Sequence, residues 1–416
     1  MTNPLMLRQH ATDVATNWWR RRQLIYAPGA GFDEIANLDG AIDAHLDGLR
    51  EGGELAGQIV QSAYDKAVAN RCHDVAADAF VVLALSFLRD DPAVMLEAMN
   101  RMRSRPGFAD AVDGLFGWFD SAAAMRLVLD NLSNEDALCR SAALAAWHVH
   151  RRQAGEEAGA SALVATAPDA LALHAIGQAG QTRLIGIALT ALAGTGPDDA
   201  RHYAAARSAL LLGDRKTALP ALQACCTALT SWQGDAMKLV CAALPPGQLK
   251  PHLHGLDAHG GPAGLLVQAA GWSGDVAHIP WLLDKVADQQ FAVLAGEAFV
   301  LITGLDLKAN HMLTQAPALS GKAARAGPVP DGGLLRDWWQ ANGQRYEQGT
   351  PYLLGRPRTH AWLRHILATG EQAHRELAAL HLALLEPGMP YFPVLASAAI
   401  QMRQLERLQG NNHERR

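Results

Sequence analysis

Charge is scarce in this chain. Asp, Glu, Lys and Arg make up 19% of its 416 residues, below the usual quarter. That excludes any long, highly charged disordered tail. The formal net charge of −5 offers no overall basic surplus of the kind that grips nucleic acid. Cysteine is as thin. The five thiols (Cys72, Cys139, Cys225, Cys226, Cys241) form no CxxC pair, which predicts reduced, mostly buried cysteines in a cytoplasm. The opening MTNPLMLRQHATDVATNWWRRR lacks the cationic-then-apolar order of a secretory signal. No run approaches the ~20 apolar residues of a membrane span. These absences predict a soluble, cytoplasmic protein. No phosphate-binding glycine loop, nucleophile elbow or metalloprotease motif occurs.

What the chain does hold is helix-forming apolar sequence. Hydrophobic residues reach 49%, and much of that excess is alanine, which favours closely packed helices. A first helix is expected over 5–26, with Leu7, Ala11, Val14, Trp18 and Ile25 on one buried stripe. Arg20, Arg21 and Arg22 are read as its solvated face. A second helix puts Ile35, Leu38, Ile42, Leu46 and Leu49 on one side and Asp39, Asp43 and Asp47 on another. From 54 to 307, helical patterns of 10–18 residues alternate with short breaks such as Asp90-Asp91-Pro92, Gly213-Asp214 and Pro245-Pro246-Gly247. The stretch 271–307 is the clearest unit. Pro280 opens a helix, Asp288-Gln289-Gln290 makes a turn, and Thr303-Gly304 stops a second helix as a C-cap. The pairs Gly213-Asp214 and Gly274-Asp275 lie 61 residues apart, about two units of thirty. Such a helix pair cannot bury its apolar surface alone and needs stacked neighbours.

These patterns predict an all-α fold, an α-α superhelix of the HEAT/armadillo-like solenoid type. Its parts are an N-terminal helical segment (1–53), a repeat array (54–307), a loop (308–332), a C-terminal helical cap (333–408) and a polar tail (409–416).

Four segments then coincide: AHLDGL at 44–49, LAGEAFVLITGLDL at 294–307, DWWQANGQRYEQGTPYLLGRP at 337–357 and LALLEPGMPYF at 382–392. Their order and spacing resemble an uncharacterised proteobacterial family of HEAT-like repeat proteins, often encoded near type VI secretion genes. The resemblance spans nearly the whole chain and implies no catalytic residue. Pro351 stands where the family often carries Arg, which removes an anion contact such an arginine would make. A type VI secretion component or effector is the partner the resemblance implies.

The candidate chemistry is sparse. His252, His254, Asp257 and His259 sit in PHLHGLDAHGG, read as a loop at 251–261. Imidazole and carboxylate this close can hold Zn²⁺, although the spacing matches no strong metal signature and solvated loop histidines are the default. His413-Glu414, the one His-Glu dipeptide, does not supply the repeated pairs with which HEAT-like deoxyhypusine hydroxylase holds iron. Glu297 lies inside the apolar run 294–302, where a carboxylate needs a partner. The expectation is a structural salt bridge, with a general base as the rival reading. His45 and Asp47 are expected to fix a helix contact. Trp338, Trp339, Arg345, Tyr346, Tyr352 and Arg356 are of types favoured at interfaces, and are the candidate partner contact; the same segment reads as a cap on the last repeat. No cofactor is expected. The leading expectation is a non-catalytic protein–protein scaffold or adaptor. The alternatives are an enzyme with its site in a superhelix groove and a nucleic-acid-binding HEAT-like protein.

Overall fold

The computed structural model describes residues 3–410 except 26, 28, 73, 151–168, 259–260 and 316–326. The protein is all-α, with almost no sheet. Two compact units divide it: Met1–Ala188 with Arg364–Arg416, and Leu189–Leu363. The division at 188/189 falls inside the stretch expected to form one array. No helix among the described residues is long and apolar enough to cross a membrane.

Unit 1 begins with α1 (Pro4–Leu24), α2 (Phe32–Arg50), α3 (Gly53–Ala69), α4 (Val75–Phe87), α5 (Pro92–Met102), α6 (Phe108–Trp118), α7 (Ala122–Asn131), α8 (Ala137–His150) and α9 (Ala170–Gln178). Side-chain oxygens start several of them. Asn3 accepts from Leu5 N, and Asp91 from Ala93 N ahead of Pro92 at the first helical position, where proline costs little. α4, α6, α8 and α9 pack in succession, while α5 packs on α7. Trp18 is buried and stacks on Phe80 with ring centroids 4.8 Å apart.

The expected solvated arginine face on α1 needs correction. Arg20 is exposed, but Arg21 is buried. Arg21 lies three residues beyond Trp18 on the same stripe. Asp39 likewise does not join an outer acidic face with Asp43 and Asp47. It is buried among Ile35, Ile42 and Leu46. The two charges meet: Arg21 Nε donates to Asp39 Oδ1 at 2.5 Å. Arg21 Nη2 also donates to the carbonyls of Leu395 and Ala396 at 3.2 and 2.8 Å.

After α10 (Ile185–Ala193), unit 2 continues with α11 (Ala200–Leu211), α12 (Arg215–Cys225), α13 (Gln233–Ala243), α14 (Pro246–Ala258), α15 (Ala263–Ser273), α16 (Ile279–Val286) and α17 (Ala292–Thr303). Then come β1 (Leu313–Gln315), β2 (Pro328–Pro330), α18 (Gly332–Asn342), β3 (Tyr352–Leu353) and β4 (Arg356–Pro357). α11, α13, α15 and α17 pack one on the next, and α12, α14, α16 and α18 flank them. The core here is built from Val267, Ile279, Leu282, Phe299, Ile302 and Leu335. Cys225, Cys226 and Cys241 are buried free thiols. Burial pushes the Cys225 thiol up to about 11 and that of Cys226 to about 12, so both stay protonated and act as small apolar groups.

Residues 308–332 are not wholly a loop. β1 and β2 pair antiparallel, Leu313 opposite Pro330. Pro328 and Pro330 have their φ fixed near extended values, and a two-stranded ribbon tolerates their missing N–H groups. Helix also does not run unbroken from 334 to 408, because β3 and β4 form a hairpin inside that span. α19 (His360–Thr369), α20 (Gln372–Leu385) and α21 (Ala398–Gly410) complete the chain, and the last two belong to unit 1.

In unit 1 the non-helical segment before α21 rests on side chains. Ala398 N, at the start of α21, donates to Asp39 Oδ2 at 2.6 Å, a carboxylate at a helix N-terminus. Arg375 of α20 is fully buried, and among the described residues no carboxylate pairs with it. It donates to the Leu367 carbonyl, to Gln372 Oε1 and to Gln401 Oε1 at 2.6, 2.9 and 2.5 Å. Gln401 Nε2 passes the network on to the carbonyls of Val394 and Ala396. Burial lowers the pKa of Arg375 to about 10, which leaves it charged at neutral pH.

Candidate functional site

The segment expected to face a partner mostly faces inward. Phe299 of α17 meets Trp338 and Trp339 of α18 edge-on, at centroid distances of 5.8 and 6.5 Å. Trp339 leans on Tyr346, and Tyr346 on Tyr352. Tyr346 donates its hydroxyl proton to the Thr303 carbonyl at 2.9 Å. Burial pushes its phenol up, so it remains a donor. Tyr352 is buried and its hydroxyl accepts from Glu347 N at 2.8 Å. Of these aromatics Tyr352 is buried, while Trp338, Trp339 and Tyr346 are half-buried and pack one side against the core. Of the six residues, only Arg345 and Arg356 are exposed, and Arg356 lies 4.5 Å over the Trp362 ring.

The hairpin itself closes two helix ends. A helix leaves its last carbonyls without intrahelical partners. Tyr352 N donates to the Gly274 carbonyl just past α15, and Leu354 N and Gly355 N donate to Leu301 and Ile302 near the end of α17, at 2.7–3.0 Å. Arg358, which the sequence reading did not single out, adds Nη2 to the Trp272 carbonyl at 2.8 Å. Burial lowers its pKa to about 10, so it too stays charged. Leu354 and Gly355 both have positive φ, the two-residue turn that suits a tight hairpin. Gly304 closes α17 at φ 69°. A Cβ there would sit 2.6 Å from the Leu354 carbonyl carbon, and one on Gly355 would sit 2.5 Å from the Thr303 oxygen. Only glycine fits both the φ and the space at these two points.

The histidine-rich stretch is helix, not loop. α14 runs from Pro246 through Ala258 with Pro251 inside it. Residues two apart on a helix face different sides. His252 turns toward α12, with Nδ1 3.4 Å from Gln223 Nε2, and burial lowers its pKa. His254 is exposed and borders two adjoining cavities. One, of about 490 Å³, lies between α14 and the loop after α18, at Pro246, Pro251, Asp275 and Gln348. The other, of about 270 Å³, has Leu266, Ala270, Ala277 and Trp281 for walls, with Asp257 on its rim. His259 lies outside the described residues. Among the described residues, no three His, Cys, Asp or Glu side chains are placed to hold a metal ion. The helix splits His252 from His254, which removes the close ligand set that a loop would allow.

Glu297 also departs from expectation. It is exposed, on the outer stripe of α17 with Val293, while Ala298, Phe299 and Ile302 face the core. No ion pair reaches it among the described residues, so the expected salt bridge is absent. The bulk around it still pushes its carboxyl up by desolvation. His45 lies where α2 crosses α1: its Nδ1 is 2.9 Å from His10 Nδ1, and its Nε2 is 3.7 Å from Asp13. One of the two facing ring nitrogens must be unprotonated to accept. Asp47 is exposed and pairs with Arg50 one turn on.

Comparison with protein families, with curated proteins and with solved structures finds no match to this chain. What the chain can do has to be argued from its own geometry.

Proposed function

We propose that this protein is a non-catalytic scaffold or adaptor built as a HEAT-like α-α superhelix and working in the cytoplasm. The observation that carries the reading is the packing order of unit 2. Alternate helices α11, α13, α15 and α17 stack in one row while α12, α14, α16 and α18 flank them, the arrangement in which stacked helix pairs bury a continuous core. The inward-turned aromatic segment and its hairpin close the α15 and α17 ends, as a terminal unit of an array must. The groove beside α14 supplies a concave, mostly apolar surface with a few polar groups on its rim, the usual form of a binding site.

The partner in this proposal is a component or effector of type VI secretion, on the strength of the family that segments 294–307 and 337–357 resemble. Affinity isolation at native expression from the source cell tests it. A type VI component recovered in near-stoichiometric amount is the expected result. Recovery of none removes the partner. Stoichiometric iron or zinc on the untagged protein would remove the non-catalytic reading.

A further inference from the structure

Resting on the scaffold reading, we propose that the smaller cavity beside α14 is a peptide-binding pocket for a segment that places a bulky apolar side chain next to a lysine or arginine. Its volume of about 270 Å³ lies just under the range of sites for drug-sized molecules, and suits a single large side chain. The walls fit an apolar guest. Leu266, Ala270 and Ala277 leave room because two of them are alanine, and Trp281 supplies a flat ring. Lys285 Nζ lies 5.5 Å from the Trp281 ring, a cation–π contact that steadies the indole.

The rim decides the charge. His254 and Asp257 are one turn apart on α14 and border the same cavity. Asp257 is exposed, and no ion pair reaches it among the described residues. Of the carboxylates that line the two cavities, Asp275 is buried with its Oδ1 accepting from Ala277 N, which leaves Asp257 as the exposed one; neither Lys nor Arg is among the described lining. A guest with a cation beside its apolar anchor meets complementary charge there, and a guest with a carboxylate meets repulsion. The larger cavity shares His254 with the smaller one and continues past Gln348 and Gly349. That gives an extended peptide a path beyond the anchored residue. An anchor in a pocket with a polar rim is the form that peptide sites take.

The test uses three fluorescein-labelled synthetic peptides, Gly-Ser-Phe-Lys-Gly-Ser and its Phe-Glu and Ala-Lys counterparts, read by anisotropy on the purified full chain at low salt. The Phe-Lys probe should bind about tenfold more tightly than either counterpart. Ala277→Trp, which fills the cavity from a half-buried position, should abolish that advantage. Asp257→Lys, an exposed change that leaves the core alone, should turn the preference from Phe-Lys to Phe-Glu. Equal binding of all three probes, or Phe-Lys binding unmoved by both variants, overturns the proposal. Probe selectivity is measured without the host partner, so failure of this pocket and failure of the scaffold reading are separate results.

Discussion

Each unit of the molecule holds down one non-helical segment, and the two do it by different means. In unit 1, residues 394–398 are held by side chains. Arg21, Asp39 and Gln401 reach into them from α1, α2 and α21, and Arg375 braces Gln401. In unit 2, residues 352–358 are held largely through backbone. Their N–H groups satisfy carbonyls left over at the ends of α15 and α17, with Arg358 in support. The first solution takes two guanidinium groups and a carboxylate out of water. Burial pushes the Asp39 carboxyl up against the downward pull of Arg21 and of Ala398 N. The second meets groups that would need partners anyway, and depends on glycine at the points of closest approach. Charge makes the first anchor strong when whole and fragile when halved. Shape makes the second sensitive to a single added carbon.

The largest effect should come from halving the buried pair. Arg21→Ala or Asp39→Ala leaves one charge without its partner and should cost about 3–5 kcal/mol. The double variant Arg21→Met with Asp39→Leu should cost clearly less than the two single losses together. Chemical denaturation measures the totals, and hydrogen exchange over 392–402 shows where the protection goes. Additive losses would mean that the pair is not the anchor. A smaller effect, on the order of 2–3 kcal/mol, should follow Gly304→Ala or Gly355→Ala, since each forces positive φ on a residue with a Cβ and drives that carbon into backbone. Exchange should then rise over 346–358 while 392–402 stays protected. Loosening of both segments together would break the distinction between them.

The smallest effect concerns pH and unit 1 alone. His150 is buried with Nε2 2.9 Å from the Phe116 carbonyl, and burial lowers its pKa below the ordinary 6.5. The folded state thus prefers the neutral ring. Its contribution is complete above about pH 6.5 and is lost as the pH falls below that value toward the folded pKa. His150→Gln should flatten the acid side of the stability profile of α6 and α8, measured by exchange at pH 7.5 and 5.5. An unchanged slope would remove His150 as its source.

One side of the unit 2 anchor is legible in the residues. Gly304 follows an apolar helical run, the place where a left-handed cap is expected, whereas reading 333–408 as a helical cap gives no sign of the hairpin turn at Gly355. What spacing could not supply was that the two points meet, because no periodicity links 304 to 355. The unit 1 anchor left a clearer trace, misread by taking charge as a sign of solvent. Arg21 continues the stripe of Leu7, Ala11, Val14 and Trp18, and Asp39 that of Ile35, Ile42 and Leu46. Two opposite charges on facing apolar stripes point to each other. The carbonyl partners of Arg21, 374 and 375 residues away, left no such trace. The histidines failed for a local reason. Residues 251–261 read as a loop, yet Pro251 sits inside α14 without ending it, and the helix carries His252 and His254 to different sides. Tyr352 is buried, while Trp338, Trp339 and Tyr346 are half-buried with one side on the core, a placement that residue type alone does not separate from an interface.

The unit 1 anchor also sets a timetable. On the ribosome, Arg21 and Asp39 emerge well before the carbonyls of Leu395 and Ala396, because the whole of unit 2 is made between them. At ordinary rates of about 5–20 residues per second, the nascent chain carries that incomplete contact for tens of seconds. During that wait residues 189–363 are free to fold, while unit 1 still lacks the contact that closes it.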